Sequence, residues 1–267
     1  MQVALVSDVH SHLVALDAVL AETDRLGVDR VLCLGDIVDL GPQPTETIAR
    51  LRERNVTCIQ GNHDPLDDGP TIPFLADVET WTREQLSRED LDWLLGLPLE
   101  LTLDVAGVRL HCVHGSPRSF RDDILPSTSD EQLRAWIGDL EHDVLACGHT
   151  HVQLARRLDE RWVVNVGSTG QPFLKPFTGQ GSPTILPFYE YAIVRGGADG
   201  PSVEAPPAGG RSGRGRARHA REHDAPRRGV AGAVALVALA RERLENGRRA
   251  RPAGSSSSMP APQERTG

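Results

Sequence analysis

A chain of 267 residues is long enough for one large α/β domain or two small ones. Its charge is uneven: residues 1–195 carry a net of −14, whereas residues 196–267 carry 13 Arg against 7 acids, a net of +6. The acidic body repels nucleic acid and anionic lipid unless bound cations reverse the field inside a cleft, so a dedicated nucleic-acid binder is not expected.

The first half alternates strand and helix. Residues 2–7 read as a buried strand, and 13–26 as an amphipathic helix with Leu13, Leu16, Val19 and Leu20 on its apolar side. A strand over 30–34, a helix over 45–54 with Pro44 at its first turn and a short strand over 55–60 follow. Two β-α-β units in a row predict a parallel sheet with right-handed crossovers. Two short helical patterns occupy 77–97, with Trp81, Leu86, Leu91, Trp93, Leu94 and Leu95 on the apolar side. Residues 101–105 and 108–113 form a hairpin around Ala106-Gly107. Ser129 or Asp130 caps a helix through Leu133, Trp136 and Ile137. Strands follow at 144–147, 153–157, 162–166 and 189–194, so a second, partly antiparallel sheet should pack on the first.

From Gly196 onward Gly, Pro, Ala, Arg and Ser dominate, which predicts a largely disordered tail over 196–267 with one helix near 230–244. The apolar run 229–240 is far short of the roughly 20 residues that cross a bilayer. No signal-like segment precedes the first strand, so a soluble cytoplasmic protein with no membrane partner is expected. Cys33, Cys58, Cys112 and Cys147 form no close pair and suit reduced, buried thiols. No feature of the sequence indicates an oligomeric state.

Five polar segments carry the chemistry: Asp8-Val9-His10, Gly35-Asp36-Ile37-Val38-Asp39, Gly61-Asn62-His63-Asp64, His114-Gly115 and Gly148-His149-Thr150-His151. Each follows an apolar, mostly β-branched run. Parallel strands bring their C-terminal ends to one sheet edge, where ligands collect. So many oxygen and nitrogen donors on one rim would be costly to desolvate without cations between them. Mixed carboxylate, imidazole and amide donors suit manganese, iron, zinc, cobalt or nickel better than magnesium or calcium. Asp36 is the natural bridge, since a carboxylate has two oxygens to share between two metals. Metals about 3.5–4 Å apart would hold a bridging hydroxide for in-line attack on phosphorus.

The order and content of these segments resemble the calcineurin-like metallophosphoesterases, in particular the compact bacterial and archaeal phosphodiesterase-type members, over roughly residues 1–195. The resemblance implies a four-layer α-β-β-α sandwich of two mixed β-sheets with a dimetal site on the sheet edges. By that resemblance Asp8, His10, Asp36 and His151 hold the first divalent ion, and Asp36, Asn62, His114 and His149 the second. Manganese is the leading metal. His63 matches the catalytic histidine and Asp64 the residue that orients its imidazole. Asp39 reads as support for a ligand rather than a ligand itself. His12, His111 and His142 match no ligand position and read as structural or surface residues, His12 being the best placed near the mouth.

Four departures accompany the match. Leu40 stands where protein phosphatases carry Arg, and Asp64 where they carry Glu. Phe173 follows Asn165-Val166-Gly167-Ser168-Thr169-Gly170-Gln171-Pro172 where Arg is common, and the strand pair and helix expected after Arg195 are not legible. The expected function is hydrolysis of a small phosphodiester, nucleotide-derived compounds included. A phosphomonoesterase or dinucleoside polyphosphate hydrolase is the alternative, with Arg118, Arg121 and Lys175 as the nearby cations. A binding scaffold on the same fold is the non-enzymatic alternative. Trp81, Phe74 and Trp93 are candidates for the substrate mouth, although core packing accounts for such aromatics more simply.

Overall fold

Alternation along the strands sets the architecture. In the computed structural model, which describes residues 1–67, 73–179 and 181–208, the first half runs β1 (Gln2–Val6), α1 (Leu13–Arg25), β2 (Arg30–Cys33), α2 (Pro44–Glu53) and β3 (Thr57–Cys58). β1 pairs in parallel with β2, and β2 with β3. Then come α3 (Pro73–Gln85), α4 (Arg88–Leu95), β4 (Glu100–Val105), β5 (Val108–Val113), α5 (Asp130–Ile137), β6 (Val144–Cys147), β7 (Leu154–Leu158) and β8 (Arg161–Asn165). The chain returns through β9 (Tyr189–Glu190), β10 (Ala192–Arg195), β11 (Ser202–Glu204) and β12 (Pro207–Ala208). One sheet has the order β11-β10-β1-β2-β3 and the other β4-β5-β6-β8-β7, each mixing parallel and antiparallel pairs.

Successive strand residues point to opposite faces, so a strand buried on both sides feeds two cores at once. Val3 and Leu5 of β1, Leu32 of β2, Val144 and Ala146 of β6 and Val164 of β8 fill the core between the sheets. Their neighbours Val6 and Cys33 face a core with Leu16, Val19 and Leu20 of α1, Ile48 and Leu51 of α2 and Leu94 of α4. Leu145, Cys147 and Val163 face outward from the second sheet onto Leu133 and Ile137 of α5. The result is the expected four-layer α-β-β-α sandwich. Ser129 caps α5, its hydroxyl accepting the Gln132 N–H at 3.1 Å. Ala106 and Gly107 make the β4–β5 turn with φ of 51° and 86°, the left-handed pair that matches hairpin twist.

Two short strands, β11 and β12, lie beyond residue 195. β11 extends the first sheet by pairing with β10, Val203 packs against the central core, and β12 pairs with β9. Two- and three-residue edge strands joined through backbone hydrogen bonds leave almost no periodic signal in a Gly- and Pro-rich segment. The remainder of the expected tail, with the helix near 230–244, lies outside the described residues, as does the side chain of Phe74. Among the described residues no helix is long and apolar enough to cross a membrane.

Candidate metal centre

The loops that follow β1, β2, β3, β5 and β6 knit together through their backbones. Asp8 N–H donates to Gly35 C=O at 3.0 Å, His10 N–H to Asp36 C=O at 2.9 Å and Gly148 N–H to His114 C=O at 2.8 Å. Asp8, His10, Asp36, Asp39, His149 and His151 all adopt positive φ, between 48° and 72°. Non-glycine residues seldom do so, and such conformations persist where surrounding structure over-determines them, commonly at functional sites. Two glycines permit the approach of the loops. A Cβ on Gly61 would collide with the Asp36 carboxylate, and one on Gly148 with Ser7 Oγ and the Asp8 carboxylate.

Two groups of donors result. Those of Asp8, His10 and His151 lie within 4.8 Å of one another, and so do those of Asp36, His114 and His149. His10 Nδ1 faces Val38 C=O at 3.2 Å, His151 Nδ1 faces Gln171 C=O at 2.8 Å and His114 Nδ1 faces Leu34 C=O at 2.7 Å. Each carbonyl accepts the Nδ1–H, which leaves Nε2 turned inward as a lone pair. The Nε2 atoms of His10 and His151 are 3.0 Å apart. Asp36 Oδ2 is 3.2 Å from His114 Nε2, and Asn62 Oδ1 is 3.1 Å from it. Asp8 Oδ1 and His149 Nδ1 are buried without hydrogen-bond partners. Inward lone pairs and orphaned acceptors call for positive charge between them, and divalent cations fit this donor set.

The electrostatics agree. Burial opposes the charged form of His114, but Asp36 outweighs it and lifts the imidazole to about 10. Burial likewise opposes ionisation of Asp36, yet His114 and His63 hold its carboxyl well below the usual range. Asp8 is lowered in the same way, burial being outweighed by His151. His10 is pushed well down by burial and by His151, which keeps it neutral and able to coordinate.

All nine predicted residues reach one rim, with two changes of role. Asp36 places a single oxygen between the groups: Oδ2 lies 3.2 Å from His114 and 3.7 Å from His10, while Oδ1 accepts the His63 backbone N–H at 2.8 Å. Both oxygens are therefore not shared between the groups as expected. Asp64 does not orient His63 either. Its carboxylate is buried and accepts the backbone N–H groups of Asp36, Ile37, Val38 and Gly61, which ties the β2 loop to the β3 loop. Burial and the neighbouring Asp36 raise it to about 6. Asp39 holds the imidazole, with Oδ2 2.8 Å from His63 Nδ1. Thr82 of α3 donates to the other Asp39 oxygen at 3.3 Å, a contact for which no sequence signal exists.

His12 contacts Gln171 at 3.0 Å and is depressed to about 4, mainly by burial, so it stays neutral beside the site. His111 bonds Thr102 and His142 faces Leu140 C=O, both away from the rim. Arg118 is held by Asp122, and Trp93 packs against the α1–α2 core. Asp123 Oδ1 lies 3.4 Å from His149 Nε2, a contact that no motif in the sequence marks.

The model of the calcineurin-like phosphoesterase superfamily domain matches residues 1–185. The chain belongs to that superfamily. The superfamily hydrolyses phosphoesters with divalent metals, and the two Asp/His groups described above are candidates to hold such ions. The protein MJ0912 of Methanocaldococcus jannaschii is 29% identical over 194 residues, 64% of this chain and 76% of that protein. Phosphodiesterase YfcE of Escherichia coli K12 is 25% identical over 182 residues, covering 64% and 81%. The crystal structure of a metallophosphoesterase from Sphaerobacter thermophilus superposes with a TM-score of 0.60 at 29% identity, over 78% of this chain and 89% of that one.

Proposed function

We propose that this phosphoesterase is a dimetal-dependent phosphodiesterase of a reducing, cytoplasmic compartment, with manganese as its leading metal and residues 1–208 as its catalytic unit. Asp8, His10 and His151 would hold one ion, and Asn62, His114 and His149 the other, with Asp36 reaching both groups. The observation that carries the reading is the pair of donor groups meeting at Asp36 Oδ2, with His63 fixed beside them. Bound there, the ions would activate water and neutralise phosphoryl charge.

The chain's own residues supply the rest. Asp39 accepts the Nδ1–H of His63, so proton exchange with substrate falls to Nε2. The protonated imidazole gives that proton to the departing alkoxide oxygen as the P–O bond breaks, and Asp39 compensates the charge. Asp64 keeps the two loops in register from behind. The four buried, unpaired cysteines are consistent with a reducing compartment. The name of the YfcE relative supports diester over monoester chemistry.

The test compares bis(p-nitrophenyl) phosphate with p-nitrophenyl phosphate, using metal-stripped protein titrated with manganese. Metal-dependent cleavage of the diester, abolished in Asp36→Asn, is expected; His63→Ala should lose about 10²–10⁴-fold on methyl phenyl phosphate, whose leaving phenolate needs a proton, and far less on the nitrophenyl diester. Preference for the monoester would replace the reading with a phosphatase, and inactivity despite bound metal would replace it with a binding scaffold.

A further inference from the structure

The segment after Gln171 builds an aromatic ledge beside the first donor group that the chemistry above does not use. Phe173 stacks on His151, with ring centroids 4.3 Å apart and an interplanar angle of 28°. Phe177 meets the Phe173 ring edge-on at 6.5 Å. Backbone bonds hold the ledge in place: Phe173 N–H donates to His151 C=O at 2.8 Å, Leu174 N–H to Thr184 C=O at 2.9 Å and Leu186 N–H to Pro172 C=O at 2.8 Å. The base of the excursion is thus pinned to a metal ligand while its apolar tip is open, Leu174 being 56% and Phe177 43% exposed.

Phe177 also lines a cavity of 290 Å³, together with Leu174, Lys175, Pro176 and Pro183 among others. Ligand pockets run about 300–1,000 Å³, so this one suits a single ring system rather than a large ligand. Lys175 is the chain's one lysine, and it puts a cation at this edge of an acidic body. Exposed aromatic side chains cost solvation unless a flat partner covers them, and stacking on such faces tolerates any aromatic ring.

We propose that the Phe173–Phe177 ledge is a substrate subsite that takes one aromatic substituent of the phosphodiester, a nucleobase or an aryl group, and so sets the specificity of the enzyme. The inference rests on the diester reading, and a binding measurement separates the two. The full-length chain with manganese is titrated calorimetrically with diphenyl, dicyclohexyl and diethyl phosphate, none of which carries an activated leaving group. Diphenyl phosphate should bind at least about tenfold more tightly than the other two. Phe177→Ala, which leaves His151 untouched, should cut that advantage about three- to tenfold without changing diethyl phosphate binding. A melting curve like that of the wild type shows that the variant is folded; if it is not, Phe177→Tyr, which keeps the ring, should keep the advantage, and Phe177→Leu should lose it.

Equal affinity for diphenyl and dicyclohexyl phosphate, an unchanged ratio in the variant, or no measurable diphenyl phosphate binding would overturn the subsite. Aromatic preference in binding without hydrolysis of any ester would leave the subsite standing and remove the catalytic reading instead.

Discussion

Replacing Asp39 by Asn removes the charge that fixes His63 while keeping the side chain's size. Asp39 is 3% exposed, its Oδ2 lies 2.8 Å from His63 Nδ1, and Thr82 supports its other oxygen. A hydrogen bond to an ionised group contributes about 1.5–3 kcal/mol. If that stabilisation acts in the transition state, its loss lowers the rate about 10- to 150-fold. The loss should appear only where His63 must protonate the leaving oxygen. Two diesters with the same methyl group, one releasing phenolate and the other p-nitrophenolate, separate the cases at saturating manganese. The phenyl ester should suffer the full loss in kcat. The nitrophenyl ester, whose anion leaves unaided, should lose no more than about threefold. Asp64→Asn supplies the contrast: with four backbone N–H groups poorly satisfied, it should lower stability by about 2–4 kcal/mol with no dependence on leaving group. Equal losses for both esters in Asp39→Asn, or a leaving-group effect confined to Asp64→Asn, would refute the assignment.

Metal binding at pH 7 should release about one proton from His114, which stands near 10 without the cation; calorimetry in two buffers of different ionisation enthalpy measures this, and heats that do not depend on the buffer would exclude it. Glu190 is raised to about 8, mainly by burial. A carboxyl raised on folding contributes stability that is intact below its unfolded value near 4.5 and is lost as pH climbs through about 8. Glu190→Gln should therefore gain a few °C in Tm over the wild type between pH 5 and 9, and parallel melting curves would contradict this. Gly148→Ala drives a methyl group into Ser7 and Asp8, so manganese affinity should fall more than about tenfold with a cost of about 1–3 kcal/mol in stability. Wild-type affinity in a manganese titration would show that the loop relaxes freely.

The residues that could be read without coordinates are those whose neighbours in the chain explain them. Val3 to Val6, Arg30 to Cys33 and Val144 to Cys147 announce buried strands through their own apolar content, and each is followed by donors that a strand end must present to a sheet edge. Chain order therefore determined the two-sheet sandwich and the convergence of Asp8, His10, Asp36, Asn62, His63, His114, His149 and His151 on one sheet edge, where the proposed site lies. Where a side chain points is a different matter. Asp39 and Asp64 are both acids near His63 in the motif, and the loop geometry, with φ of 68° at Asp39, sends one to the imidazole and the other to backbone amides. Thr82 reaches Asp39 from 43 residues away, and Phe173 covers His151 because the Gln171 loop folds back onto the rim. β11 and β12 exist because edge positions on β10 and β9 offered backbone partners to a segment with little pattern of its own. Donor identity and strand order belong to the sequence; partner choice among chemically similar groups depends on backbone dihedrals and long-range contacts, which only the tertiary structure decides.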